Sequence, residues 1–233
     1  MIAENLAAVR ARVEAAATRA GRRSDEVTLV VVTKEVDVMQ VAEAISAGVR
    51  DLGENRVQEL QSKQSALADS SVRWHMIGTL QRNKVAQVVG EVALIHSVDS
   101  AKLGEAIGRR AEAGSREQDI LLEVNTGGEP SKHGVDPADA MGAAGRLLDM
   151  KGLRLRGLMT IAPEGDPRAA RDAFRALREL GDRLKERAPE ASELSMGMSE
   201  DFEIAIEEGA TIVRIGSAIF GARAESHGAK ASG

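Results

Sequence analysis

From residue 27 onward, short apolar runs alternate with amphipathic stretches eight times, and no turn signal such as Asn-Gly joins one run directly to the next. The runs read VTLVVVTK, VRDLGEN, RWHMIG, VALIHSV, DILLEVNT, LRLRGLMTIA, ELSMG and TIVRIG. Strands separated by helical segments pair in parallel, because each crossover returns the chain to the same end of the sheet. Two architectures satisfy that rule, an open doubly wound sheet and a closed (β/α)8 barrel. The open sheet would show a GxGxxG turn after its first strand, whereas this chain has TKEVDV there, with no glycine. The pattern therefore predicts an α/β fold, a (β/α)8 TIM barrel forming one domain over residues 1–225, with 226–233 as a flexible tail. An extra helix precedes the first strand, since Ile2, Leu6, Val9, Val13 and Ala17 recur at helical spacing. The longest helix begins at Asp166-Pro167, a cap residue followed by proline at the first helical position.

Composition removes several classes of function. With no cysteine, the chain has neither a disulfide framework nor a thiolate metal site. His75, His96, His133 and His227 show neither HxxxH nor HxH spacing, so no histidine metal site is expected. A net charge of −5 and an aromatic content of 2% argue against nucleic acid as a partner. There is no run of about 18 apolar residues, and the N-terminal stretch lacks the apolar segment of a signal peptide. The expectation is a cytoplasmic, monomeric protein with no membrane partner.

In a barrel the chemistry belongs at the C-terminal ends of the strands. Along the first strand Thr28, Val30, Val32 and Lys34 share one face, so a lysine closes an apolar row. Such a lysine either ends the strand at solvent or has a chemical role. Around the same mouth the pattern places Asn55, His75, Gly78, Ser97, Asn125, Lys132 and Thr160. The loops after strands seven and eight, where barrels commonly bind phosphate, read Ser195-Met196-Gly197-Met198-Ser199 and Gly216-Ser217. Each pairs glycine, which lets backbone N–H groups approach an anion, with a hydroxyl donor. Glu200 and Asp201 follow directly and are expected to point outward, away from a phosphate. Arg214 falls on the same strand face as Ile212 and needs an acceptor: Glu123 or Glu193 in an ion pair, or a ligand nitrogen. A lysine, two phosphate loops and an arginine fit pyridoxal phosphate, as Schiff-base partner, phosphate anchor and pyridine-nitrogen partner. A Schiff-base aldolase acting on a phosphorylated sugar would use the same lysine.

The stretches VVTKEV, DLGENRVQEL, WHMIGTLQRNK, IHSVDS, VNTGGEPSKHG, RGLMTIAP and LSMGMSEDFEIAIEEGATIVRIGSAIFG carry a resemblance. With them the chain resembles the pyridoxal phosphate homeostasis proteins, single-domain relatives of the alanine racemase barrel. The resemblance implies pyridoxal 5′-phosphate as cofactor, Lys34 as its aldimine lysine, and Ser195, Gly197, Ser199, Gly216 and Ser217 in the phosphate loops. It sets Arg214 against the ring nitrogen, with Asn55, His75 and Lys132 lining the cofactor. The family prefers threonine where this chain has Ser217, which keeps the hydroxyl. It further implies a role in intracellular cofactor homeostasis and delivery, with apo enzymes as acceptors. The enzyme alternative is a weak amino-acid racemase or lyase. A racemase of the related barrel type takes a second base, a tyrosine, from an additional C-terminal domain. This sequence has no tyrosine and stops soon after the eighth strand, so robust turnover is not expected.

Overall fold

The computed structural model describes residues 1–68, 70–128 and 133–221. Lys132, the 226–233 tail and the end of the last expected helix beyond Gly221 lie outside the described residues. Among these residues eight parallel strands close into a barrel in chain order: β1 (Thr28–Val32), β2 (Asp51–Glu54), β3 (Arg73–Met76), β4 (Leu94–Val98), β5 (Gln118–Glu123), β6 (Leu153–Met159), β7 (Glu193–Ser195) and β8 (Ile212–Ile215). Pairing of β1 with β8 closes the ring, with Val30 opposite Arg214 in register. This is the barrel that the alternation of runs predicts.

The helices are α1 (Ile2–Arg19), α2 (Val38–Ser46), α3 (Val57–Ala66), α4 (Ala101–Ala113), α5 (Ala140–Leu148), α6 (Pro167–Arg187), α7 (Phe202–Glu207) and α8 (Ser217–Phe220). One crossover departs from expectation. Between β3 and β4 the chain forms a 3-10 segment, Arg82–Gln87, instead of an α-helix. Its N-terminus has no side-chain cap bond, and the β-branched pair Val88-Val89 follows it.

The extra helix has a structural reason. One turn of α8 is too short to cover the seam between β8 and β1, and α1 packs there against α7, α8 and α2. It buries Ile2, Leu6, Val9, Val13, Ala16 and Ala17, and Asn5 Nδ2 donates to the carbonyl of Ile219 at 2.8 Å. Arg12 and Arg19 also reach Glu203 and Glu207 on α7. Burying one large aliphatic side chain contributes about 1.5–3 kcal/mol, against about 0–1 kcal/mol for an exposed ion pair, so packing holds α1 in place.

Side chains alternate along the strands. Val30, Leu94, Leu121, Met159 and Ile212 form a separate apolar cluster inside the barrel, while Val31, Leu52, Met76, Ile95, Leu122 and Val213 join the core between strands and helices. Two residues beyond Leu94, Leu121 and Ile212, the inward positions turn polar: His96, Glu123 and Arg214. On these three strands the interior is thus apolar below and polar toward the mouth.

Candidate functional site

The C-terminal ends of β1, β7 and β8 surround a cavity of about 510 Å³, a size suited to a cofactor or small ligand. Val32 lines it from β1 and Lys34 from the turn that follows, Met198 and Ser199 from the loop after β7, and Gly216 and Ser217 from the loop after β8. Arg214 reaches it from within the barrel, and the turn at 163–165 lines a further side. Of the residues that sequence places in the site, this cavity brings together Lys34, Ser199, Arg214, Gly216 and Ser217.

Lys34 does not close the strand. It lies two residues past the end of β1, half-buried, in a tight turn where the Val36 N–H donates to the Thr33 carbonyl at 3.0 Å. Glu35, next to it, has φ 60°, a left-handed conformation more often given to glycine or asparagine. Alternation still carries Val32 and Lys34 to the same side.

Glycine shapes the two loops. Gly197 has φ 95°, and a Cβ there would come within 2.6 Å of the Ala205 Cβ and 2.9 Å of the Phe202 Cα. Gly197 itself backs the cavity without lining it. A Cβ on Gly216 would stand 3.1 Å from the carbonyl of Val32. Ser199 Oγ accepts the Ala218 N–H at 3.4 Å, joining the two loops. Of the two acidic residues expected to point outward, Glu200 is exposed but Asp201 is not. Asp201 folds back so that Oδ1 accepts the Met198 N–H at 2.6 Å, the short reach of an aspartate favouring a bond to its own loop. Burial pushes the Asp201 carboxyl up, and the Met198 N–H and the charge of Arg214 oppose that rise.

Beneath Arg214 runs a row of buried hydrogen bonds that crosses the barrel. Arg214 Nη1 donates to Ser195 Oγ at 2.6 Å and Nη2 to the Thr160 carbonyl at 2.9 Å. Ser195 Oγ meets His96 Nδ1 at 2.8 Å, His96 Nε2 meets His75 Nδ1 at 3.0 Å, and His75 Nε2 meets Asp51 Oδ1 at 3.0 Å. With neutral imidazoles one polarity satisfies every atom: each group donates toward Asp51 and accepts from the side of Arg214. His96 is held well below the usual histidine range by burial, then by the charges of His75 and Arg214. Burial would raise Asp51, but hydrogen bonds from His75 and Arg73 outweigh it and hold the carboxyl at about 2. Burial lowers Arg214 to about 10 against the opposing charges of Glu123 and Asp201, which leaves it ionised at neutral pH.

His75 and Ser195 therefore lie under the cavity, not in its wall. The acceptors of Arg214 are a hydroxyl and a carbonyl, while Glu193 instead takes the hydroxyl of Thr211. Asp51 and His96 were not singled out from sequence. Their signal is strand parity, which turns Asp51 inward with Gly53, and His75 and His96 inward on the next two strands.

Asn55 lies elsewhere. It lines a second cavity, of about 260 Å³, together with Thr79, Glu123, Asn125 and His133 at the ends of β2, β3 and β5. A Cβ on Gly78 would approach the carbonyl oxygen of Asn55 to 2.4 Å, so these two strand ends pack backbone to backbone. Ser97 is buried and donates to the Gly78 carbonyl at 2.6 Å, and the Thr160 hydroxyl donates to the Val124 carbonyl at 2.8 Å. Glu123 is pushed up to about 7 by burial, then by the nearby charge of Asp99, with His133 and Arg214 opposing. Among the described residues, no group of three or more His, Asp or Glu is placed to hold a metal ion, and no helix is long and apolar enough to cross a membrane.

Comparison with known proteins identifies the family to which this fold belongs. Residues 5–224 match the family described as alanine racemase, N-terminal domain. The chain is 45% identical over 222 residues to the pyridoxal phosphate homeostasis protein of Aquifex aeolicus, which covers 94% of this chain and 97% of that one. It is 45% identical over 232 residues to the protein of the same name from Pseudomonas aeruginosa, covering 99% of each. The structure of PipY from Synechococcus elongatus with PLP bound matches with a TM-score of 0.82 and 36% identity, over 95% of this chain and 100% of that one. On these grounds the chain belongs to the pyridoxal phosphate homeostasis protein family, within the alanine racemase N-terminal domain fold.

Proposed function

We propose that this protein holds pyridoxal 5′-phosphate covalently through the amine of Lys34, and that it stores the cofactor inside the cell and hands it to other proteins. The observation that carries this reading is the 510 Å³ cavity, which sets Lys34 across from two Gly/Ser loops with Arg214 anchored beneath. PipY, the relative with PLP bound, supports the choice of cofactor.

The residues suit the group. Bound pyridoxal phosphate supplies an aldehyde that condenses with a primary amine, and a ring able to take up electrons. Lys34 offers the amine. Ser199 and Ser217 offer hydroxyls to the phosphate, and Gly216 keeps its loop clear where a Cβ would press on the Val32 carbonyl. Arg214 is a donor only and stays charged, so it would hold the ring nitrogen as a hydrogen-bond acceptor and keep a proton off it. An unprotonated ring nitrogen is a poor electron sink, and no tyrosine among the 233 residues serves as a second proton donor. Binding and release therefore dominate over turnover of amino acids. Asn55, which lines the second cavity, is not needed to hold the cofactor in this reading, and His75 and Ser195 act from below through Arg214.

The test mixes cofactor-loaded protein with an apo pyridoxal-phosphate enzyme and follows recovery of that enzyme's activity, while D- and L-alanine are assayed for racemisation. Recovery faster than that given by an equal amount of free cofactor, with negligible racemisation, is expected. Robust racemisation with no transfer beyond that from free cofactor would overturn the proposal.

A further inference from the structure

Outside the barrel wall, under the turn that carries Lys34, lies a buried cluster that the cavity chemistry does not use. Lys63 on α3 is nearly fully buried, and its Nζ donates to Glu54 Oε1 at 2.6 Å and to the carbonyl of Thr33 at 2.5 Å. The Thr33 hydroxyl donates to the same Glu54 oxygen at 2.6 Å. Glu59, one turn before Lys63 on α3, accepts the Glu35 N–H with Oε2 at 2.8 Å and stands 3.6 Å from Lys63. Arg56 completes the surroundings, 3.5 Å from Glu59 and 3.8 Å from Glu35.

These bonds converge on the residues either side of Lys34. The Thr33 carbonyl closes the turn by accepting from Val36, and Lys63 gives it a second donor. The N–H of Glu35, whose backbone is left-handed at φ 60°, is tied by Glu59. A left-handed conformation is unfavourable for a residue with a Cβ and persists where its surroundings impose it. The cluster also carries a cost that stability alone does not explain: Glu54 Oε2 is buried with no hydrogen-bond partner among the described residues. We infer that Lys63, Glu54 and Glu59 are positioning residues for Lys34, gripping the main chain at 33 and 35 so that its amine is aimed into the cavity for bond formation.

The inference rests on the cofactor reading above, and its test separates the two. The rate at which added pyridoxal phosphate becomes trapped on Lys34 by borohydride is measured for the full chain and its variants, alongside thermal melting. Glu59→Ala removes the acceptor for the Glu35 N–H at a partly exposed position, where the fold survives. It is expected to slow formation of the Lys34 adduct about tenfold, the scale of one hydrogen bond to a charged acceptor. Glu59→Gln keeps an oxygen acceptor there and is expected to restore the rate to within about twofold of the parent. Lys63→Met is expected to slow the adduct further and to lower the melting temperature. Adduct rates in Glu59→Ala equal to the parent would overturn the inference and leave the cofactor reading standing. A parent protein that forms no Lys34 adduct would overturn both.

Discussion

Arg214 and Lys34 face one cavity and are supported in opposite ways. The guanidinium of Arg214 is itself tied, to Ser195 and Thr160, and the row behind it runs through two histidines to Asp51. At Lys34 the bonds fall on the main chain of its neighbours, and they come from outside the barrel, from Lys63 and Glu59. The difference matches two chemical duties. A group that only has to present a fixed donor gains from having its own atoms bound, because each bond removes a conformer. A group that has to form and break a covalent bond gains from a main chain fixed on either side of it.

The sharpest way to break the comparison is to remove the tied group. Arg214→Glu leaves the Thr160 carbonyl and Ser195 without their donor and sets a third carboxylate near Glu123 and Asp201. Loss of stability on the order of 3–5 kcal/mol is expected in denaturant titration of the apo protein. A loss below about 1 kcal/mol would mean that the row does not brace Arg214.

A second test concerns the carboxyl opposite Arg214. Glu123 has a folded-state pKa raised to about 7, so the folded protein binds this proton more tightly than the unfolded chain does. Stability therefore falls as pH rises from about 4.5 to about 7, and the Glu123 penalty is complete above that window. Glu123→Gln should be more stable than the parent by about 2–3 kcal/mol at pH 8, with the difference closing toward pH 4. A pH-independent difference would show that Glu123 is not the titrating group.

At the far end of the row the sign reverses. Asp51 is depressed to about 2, so its contribution is present above the unfolded value near 3.8 and is lost as pH falls through about 2. It should amount to about 2 kcal/mol, and Asp51→Asn should flatten the acid limb of the stability curve over that window. An unaltered acid limb would argue against the Asp51–His75 link. The smallest effect is expected at the other member of the pair. Lys34→Ala should change apo stability by less than about 1 kcal/mol, because the bonds that shape its turn belong to Thr33 and Glu35.

The sequence was legible where a residue broke a pattern within its own strand. Arg214 stands out in TIVRIG and Lys34 at the end of VTLVVVTK, and parity along each strand points both inward. The eight runs made the barrel legible for the same reason. What depended on register between strands was not legible. The row from Asp51 through His75 and His96 to Ser195 exists because β2, β3, β4 and β7 bring those side chains to one interior, and no single run encodes that meeting. Ser195 accordingly reads as a phosphate-loop hydroxyl, although its oxygen is taken by Arg214 and His96 beneath the cavity. The end of β1 was misplaced because parity still carries Lys34 to the side of Val32 after the chain has left the ladder at Thr33, whose N–H makes the last bond to β2 at Gly53. Apolar spacing also did not distinguish the short 3-10 segment after β3 from an α-helix.

The account stands on Lys34 as the point of attachment, and the most direct measurement is peptide mapping after reduction. Purified protein is loaded with pyridoxal phosphate, reduced with borohydride and digested, and the modified peptide is identified by mass spectrometry. The adduct is expected on the peptide that contains Lys34, and it should vanish in Lys34→Ala. An adduct found only on Lys84 or Lys132, with the Lys34 peptide unmodified, would contradict the account.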